Sequence, residues 1–243
     1  KHCVYRSIEK HIEAEGSCDC HTTRKGKIVS MFINNSKLSF WMSKKQMEIH
    51  QQIFPFLNND KNKVLSSIFS QDTIEFIESL DTNKKNNKWL ILNSPSWIKG
   101  TEDAITYAKE NNLEYELVWN LEYKELLKKM ASSKGVIFLP KGADTCPRWI
   151  IESKMLGCEL VTNENVQHKD EEWFESKESV FSYLQKRAEY FWGLVEKNFA
   201  EQLNIPDPKQ NIDEDTQFKI VIPFYNAEKW ISKCIKSIRK QKY

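Results

Sequence analysis

The sequence predicts an α/β fold, a doubly wound parallel sheet with helices on both faces. Three observations carry that prediction. From residue 88 onward, short apolar runs alternate with amphipathic stretches of roughly ten residues, the rhythm of strand–helix–strand units. Residues 135–163 (GVIFLPKGADTCPRWIIESKMLGCELVTN) read as strand, loop, helix and strand in succession. Val136, Ile137 and Phe138 form an uninterrupted apolar run bounded by Pro140 and Gly142, as in a strand buried on both faces.

In chain order, residues 1–27 carry His2, Cys3, His11, Cys18, Cys20 and His21. Thiolates and imidazoles at this density suit a tetrahedral structural zinc, with Cys3, Cys18, Cys20 and either His21 or His11 as ligands. The competing reading is a set of reduced thiols in a covering loop. Residues 28–33 (IVSMFI) are expected as a strand, residues 34–36 as a turn and residues 38–42 as a second strand. Ser43 is expected to cap a helix reaching about residue 52. Residues 58–63 are polar, and residues 64–69 (VLSSIF) read as a crossover. A short helix over 73–80 and a polar linker over 81–88 follow.

Strands are expected at 89–92, 115–119, 135–139 and 159–162, with helices at 102–111 and 123–131. Pro147 suits the first turn of a further helix, with Asp144 or Thr145 as its cap and Gly157 as its end. In a parallel sheet ligands bind beyond the carboxyl ends of the strands. Topology alone therefore brings Ser94, Ser96, Lys99, Asp144, Thr145 and Glu152 to one rim. Lys99 opens a helix, where an ammonium and backbone N–H groups suit a diphosphate. Glu152 lies among Ile150, Ile151, Met155 and Leu156, either on the helix's solvated edge or in a site. A loop over 163–168 follows, with His168 expected to be solvated. One long helix is expected over 178–203, with Phe191, Trp192 and Val195 on its apolar face. Residues 205–216 form a linker rich in proline and acids. Residues 218–243 (FKIVIPFYNAEKW…) open a second strand–helix unit.

The chain has 243 residues, 40% of them hydrophobic, and a net charge of +2. That size allows one large or two modest domains. The charge balance gives no reason to expect nucleic acid as partner. No run approaches the ~18 apolar residues of a membrane span, so peripheral association is the most expected of a membrane. There is no Gly-rich phosphate loop, which argues against ATPase and dinucleotide readings. Six cysteines in a chain this long need not be a disulfide scaffold, and a reducing, cytoplasmic setting is expected. The chain opens on Lys1 and ends soon after a strand–helix start, so it reads as an internal piece of a longer protein.

The segment from Asp144 to Gly157, with seven residues between Asp144 and Glu152, resembles the nucleotide-sugar end of the GT-B glycosyltransferases. The resemblance implies a Rossmann-like half-domain, with the first acid near the donor sugar and the second on the nucleotide ribose. Asp144 stands where the family usually has Glu. Lys99–Gly100 is similar to the family's Lys-Gly, which binds the donor phosphates. Ser94 stands where a companion Arg is usual, so either part of the family's phosphate clamp is absent or Arg148 supplies it from the other loop. Residues 1–57 then resemble the end of a GT-B N-terminal domain, residues 58–204 its donor-binding C-terminal domain with a closing helix, and residues 205–217 a linker. Residues 218–243 resemble the truncated start of a family-2, GT-A glycosyltransferase, with Pro223 and Tyr225 near the base. The resemblance implies a transferase of surface-polysaccharide or glycan synthesis. It would take a UDP- or GDP-type sugar and a glycan or lipid-linked acceptor, and would need no cofactor. The alternative of a different class is a non-catalytic scaffold whose donor site has decayed.

Overall fold

The computed structural model describes residues 8–199, which lie within one compact unit. Pro223, Tyr225, Cys3 and the whole segment 218–243 lie outside the described residues. In chain order the elements are α1 (Ile8–Glu15), α2 (Arg24–Asn35), β1 (Ser39–Trp41), α3 (Lys44–Ile53), β2 (Asn62–Val64) and α4 (Gln71–Glu78). There follow β3 (Trp89–Leu92), α5 (Thr101–Glu110), β4 (Tyr115–Val118), α6 (Tyr123–Ser132), β5 (Gly135–Phe138), α7 (Arg148–Met155), β6 (Glu159–Thr162), α8 (Lys177–Gln185) and α9 (Arg187–Phe199).

The four later strands form one parallel sheet in the order β4-β3-β5-β6. Alternation along the strands divides the core in two. Leu90, Val136 and Phe138 enter a cluster with Ile74 and Ile77 of α4, Leu127 and Met130 of α6, Ile150 and Ile151 of α7, and Val180 and Leu184 of α8. Trp89, Ile91 and Ile137 point the other way, onto Ala104 and Ala108 of α5. The small alanines let α5 approach closely. Each fully buried large side chain on either face contributes about 1.5–3 kcal/mol. The sheet is thus Rossmann-like and doubly wound, as the sequence predicts.

From β3 the chain runs through α5 to β4 on one side, then returns through α6 to β5 on the other. The strand order therefore reverses between β3 and β5. The crevice beyond their carboxyl ends is the topological switch point, where such sheets bind ligands.

A second, two-stranded parallel sheet pairs β1 with β2, with α3 as the crossover. Ser43 caps α3 by accepting from the Gln46 N–H, as expected. The Trp41 indole N–H donates to Asn62 Oδ1 at 2.9 Å, and the Asn62 amide donates to the Leu57 carbonyl at 2.7 Å. The small sheet also touches the later elements. Ser43 Oγ donates to Gln167 Oε1, Phe40 meets Phe191 of α9 at 5.1 Å between ring centres, and Ser66 Oγ lies 3.0 Å from the Tyr183 hydroxyl.

Three local expectations are corrected. Residues 28–33 are helical, inside α2, rather than a strand. A short apolar stretch broken only by Ser30 does not distinguish the two periods, and Thr23 supplies an N-cap by accepting from the Gly26 N–H. The long C-terminal helix is broken at Lys186 into α8 and α9. Arg187 Nε donates to the Tyr183 carbonyl, and its guanidinium stacks 3.9 Å from the Tyr183 ring centre. The Tyr183 carbonyl thus accepts from the Arg187 side chain as well as from the Lys186 N–H that closes α8. Neither Asp144 nor Thr145 caps α7, which begins after Pro147 without a side-chain cap. Asp144 is instead held extended, its N–H donating to the Asn165 carbonyl and its own carbonyl accepting from Gln167 N–H.

Candidate functional site

The switch-point crevice is made by two loops, one after β3 (residues 93–100) and one after β5 (residues 139–147). The first ends in a 3₁₀ turn over Trp97–Lys99 and a left-handed Gly100 (φ 65°). A Cβ on Gly100 would overlap the Leu139 carbonyl, so only glycine lets the loops meet here. The Lys141 N–H closes the contact by donating to the Ile98 carbonyl at 3.0 Å. Across this contact Lys99 Nζ donates to Asp144 Oδ2 at 2.6 Å. The pair is partly exposed, with the lysine side chain 34% and the aspartate 20% accessible. A cleft of about 140 Å³ opens beside it, lined by Ser96, Ile98, Lys99, Gly142, Ala143, Asp144 and Thr145. Ser94 shapes the turn instead: its Oγ accepts from the Ser96 N–H, and its carbonyl and that of Leu92 accept from Thr101 Oγ1.

Glu152 is buried, 3% exposed, which corrects the solvated reading of that helix position. Its Oε1 accepts from the Tyr123 hydroxyl at 2.7 Å and from Arg148 Nε at 3.1 Å. The Arg148 Nη2 donates to the Tyr123 hydroxyl in turn, closing a triangle. The guanidinium also stacks on Phe69, 4.3 Å from the ring centre. Burial raises the Glu152 carboxyl above its ordinary value, against the pull of Tyr123 and Arg148. Burial and the Glu152 charge raise Tyr123 as well. Arg148 is thus engaged with Glu152 and Tyr123 on α6 and α7, while Lys99 is engaged with Asp144 between the loops. Tyr123 escaped the sequence reading. The i,i+4 spacing of Arg148 and Glu152 was a visible signal for their pairing.

Beyond the carboxyl ends of β3 and β4 lies an apolar hollow of about 210 Å³. It is lined by Leu92, Val118, Trp119, Asn120, Leu121 and Leu126. Trp119 is half exposed, a large flat ring on the same rim as Lys99. Ligand binding beyond the strand ends covers the loop after β4, but nothing in the sequence marked the Trp119 ring itself.

His168 is fully buried rather than solvated. It stacks on Trp173 (5.3 Å between ring centres) and meets Phe174 edge-on (4.6 Å). Neither ring nitrogen makes a well-formed hydrogen bond within the protein. Burial pushes the ring down to about 4, against a weak opposing pull from the Thr145 backbone. Such a ring is neutral and belongs to the packing beneath the loop, not to its surface. Cys146, also buried, is pushed up to about 11 by desolvation, which leaves it an unreactive thiol.

At the N-terminal end, His11, Cys18 and Cys20 bring one ligand atom each within 4.8 Å of the others. His21 stands apart from that group and meets the Phe54 ring edge-on.

No protein-family model and no curated protein matches the chain. Among solved structures it is similar to the GtfA/B complex, with TM-score 0.43 and 7% identity over 74% of this chain and 43% of that one. It is also similar to AviGT4, a glycosyltransferase involved in avilamycin A biosynthesis, with TM-score 0.37 and 12% identity over 67% of this chain and 61% of that one. The chain thus spans only part of the length of either structure, and likeness at these values says nothing of chemistry. No helix among the described residues is long and apolar enough to cross a membrane.

Proposed function

We propose that this chain supplies the donor-binding half of a glycosyltransferase, holding a nucleoside-diphosphate sugar in the crevice between β3 and β5. The observation that carries the reading is the Lys99–Asp144 pair beside a small polar cleft at the switch point. An ammonium there offsets diphosphate charge, and it stabilises most at the transition state, when the leaving diphosphate gains charge. The α7 N-terminus follows directly after the cleft loop and has no side-chain cap, so its N–H groups add donors. The hollow beside Trp119 offers a flat apolar wall for a base. In this reading Asp144 faces the sugar, Thr145 lines its approach, and Glu152 reaches the ribose by exchanging one of its present partners. The transfer joins the sugar's anomeric carbon to an acceptor hydroxyl and releases the diphosphate, with no metal at this site. The acceptor, a glycan or lipid-linked one, and the residues that activate it belong to the half preceding residue 58.

A second reading has its own support. Lys99 is already neutralised by Asp144, and Arg148 is already engaged by Glu152 and Tyr123. A chain so self-satisfied fits a scaffold that keeps the fold without a donor. A thermal-shift series with UDP, GDP, ADP and CMP at about millimolar concentration separates the two, since a ligand of the folded state raises the melting temperature by mass action. Donor binding predicts a rise with one base, lost in Lys99→Ala. No rise with any nucleotide means either the scaffold or a donor site completed only by the other half, and the same series on a longer chain decides between those two.

A further inference from the structure

We propose a zinc site at the N-terminal end of the chain, with His11 Nδ1, Cys18 Sγ and Cys20 Sγ as three of its four ligands and Glu15 orienting the histidine. It lies outside the donor crevice and is independent of the donor reading. Tetrahedral zinc has Zn–S near 2.3 Å and Zn–N near 2.0–2.1 Å, which puts sulfur and nitrogen about 3.5 Å apart. His11 Nδ1 and Cys20 Sγ lie 3.4 Å apart, and Cys18 Sγ completes a group within 4.8 Å. The 3.4 Å separation alone is equally that of a thiol–imidazole hydrogen bond. Two further features favour the metal.

The first is Glu15. Its Oε2 accepts a hydrogen bond from His11 Nε2–H at 3.0 Å, one helical turn along α1. The imidazole therefore presents Nδ1 to the two sulfurs. A carboxylate on the far nitrogen is the usual outer partner of a zinc-bound histidine, because it fixes the tautomer and makes the ring a better donor.

The second feature is the pre-organised turn that carries both cysteines. Thr22 closes it on the Asp19 carbonyl through its N–H (2.8 Å) and hydroxyl (2.9 Å). Thr23 Oγ1 donates to the Cys20 carbonyl at 2.7 Å while accepting from the Gly26 N–H. A Cβ at Gly26 would overlap the Cys20 carbonyl, so glycine is required where α2 meets the turn. His11 and Cys20 are each 4% exposed, and Cys20 packs with Ile49 and Ile53 of α3. A metal here would tie α1 to the turn, which packs on α3 through Cys20. Two thiolates and an imidazole select zinc over harder cations.

The test uses the reduced full chain, freed of metal by a chelator and titrated with Co²⁺. One equivalent should give the intense visible bands of tetrahedral thiolate-bound cobalt, abolished by one equivalent of Zn²⁺. Zinc should also raise the melting temperature. Cys18→Ser with Cys20→Ser should remove the bands. Glu15→Gln, which keeps all three ligands, should bind one equivalent 10–100-fold more weakly. Circular dichroism of each variant separates loss of ligands from loss of fold. Absence of the cobalt bands in the folded wild-type chain, or unchanged bands in the folded double variant, overturns the proposal.

Discussion

Replacing His168 with phenylalanine is expected to abolish most of the acid sensitivity that the region around the loop after β6 gives the chain. The buried ring titrates at about 4, against 6.5 for an ordinary histidine. The unfolded chain therefore takes up a proton below 6.5 that the folded chain refuses until about 4. Stability is unaffected above that window and falls as pH drops through it. Each pH unit between the two values is worth about 1.4 kcal/mol, so the full cost is about 3 kcal/mol. About 2 kcal/mol of it is already lost by about pH 5. His50, also lowered by burial, acts with the same sign. Glu152 acts with the opposite sign, since its raised carboxyl takes a proton earlier in the folded chain and adds stability as pH falls. Both are present in wild type and variant and cancel between them. Phenylalanine keeps a ring against Trp173 and Phe174 and leaves no unpartnered nitrogen. Urea denaturation at about pH 7 and about pH 5 should show the variant losing about 2 kcal/mol less than wild type. Equal losses in the two proteins would refute a buried, neutral His168.

Gly100→Ala should destabilise the chain by more than about 2 kcal/mol, because it adds a clash with the Leu139 carbonyl to a left-handed backbone; denaturation within about 0.5 kcal/mol of wild type would rule out the close loop contact. Tyr123→Phe removes a donor from the buried Glu152 carboxylate and should cost about 1–3 kcal/mol at neutral pH, shrinking as Glu152 protonates in acid. A cost independent of pH would argue that Tyr123 acts through packing instead. Leu127→Ala, at a fully buried α6 position in the larger core cluster, should cost about 2–5 kcal/mol in the same assay.

The doubly wound sheet was legible because β3 and β5 are uninterrupted apolar runs bounded by proline, glycine and polar residues, and because helix-length stretches separate them. The rim followed from topology: of the residues expected there, Ser96, Lys99, Asp144 and Thr145 line one cleft, while Ser94 shapes the turn and Glu152 is engaged by Tyr123 and Arg148. Their pairing was not legible, since nothing in sequence spacing brings position 99 within hydrogen-bond reach of 144. The apolar run at 28–33 misled because it has neither period. Its helix leaves Ile28, Met31 and Phe32 exposed, against the usual rule of burial. His168 misled because the charges around it, Lys169 and Asp170, suggest solvent, whereas Trp173 and Phe174 fold back over it. In the cysteine–histidine cluster the two cysteines of the turn were identified from composition. Choosing His11 over His21 required the helix that carries His11 to Cys20.

The most direct test of the crevice as a diphosphate site is calorimetric titration of wild type and Lys99→Ala. Each would be titrated with the nucleoside, its monophosphate and its diphosphate, for the base that raises the melting temperature. A diphosphate held by Lys99 predicts wild-type affinity that climbs with each phosphate. It also predicts that Lys99→Ala binds the diphosphate more weakly than wild type and gains less affinity with each phosphate. Equal diphosphate affinity in the two proteins would contradict it.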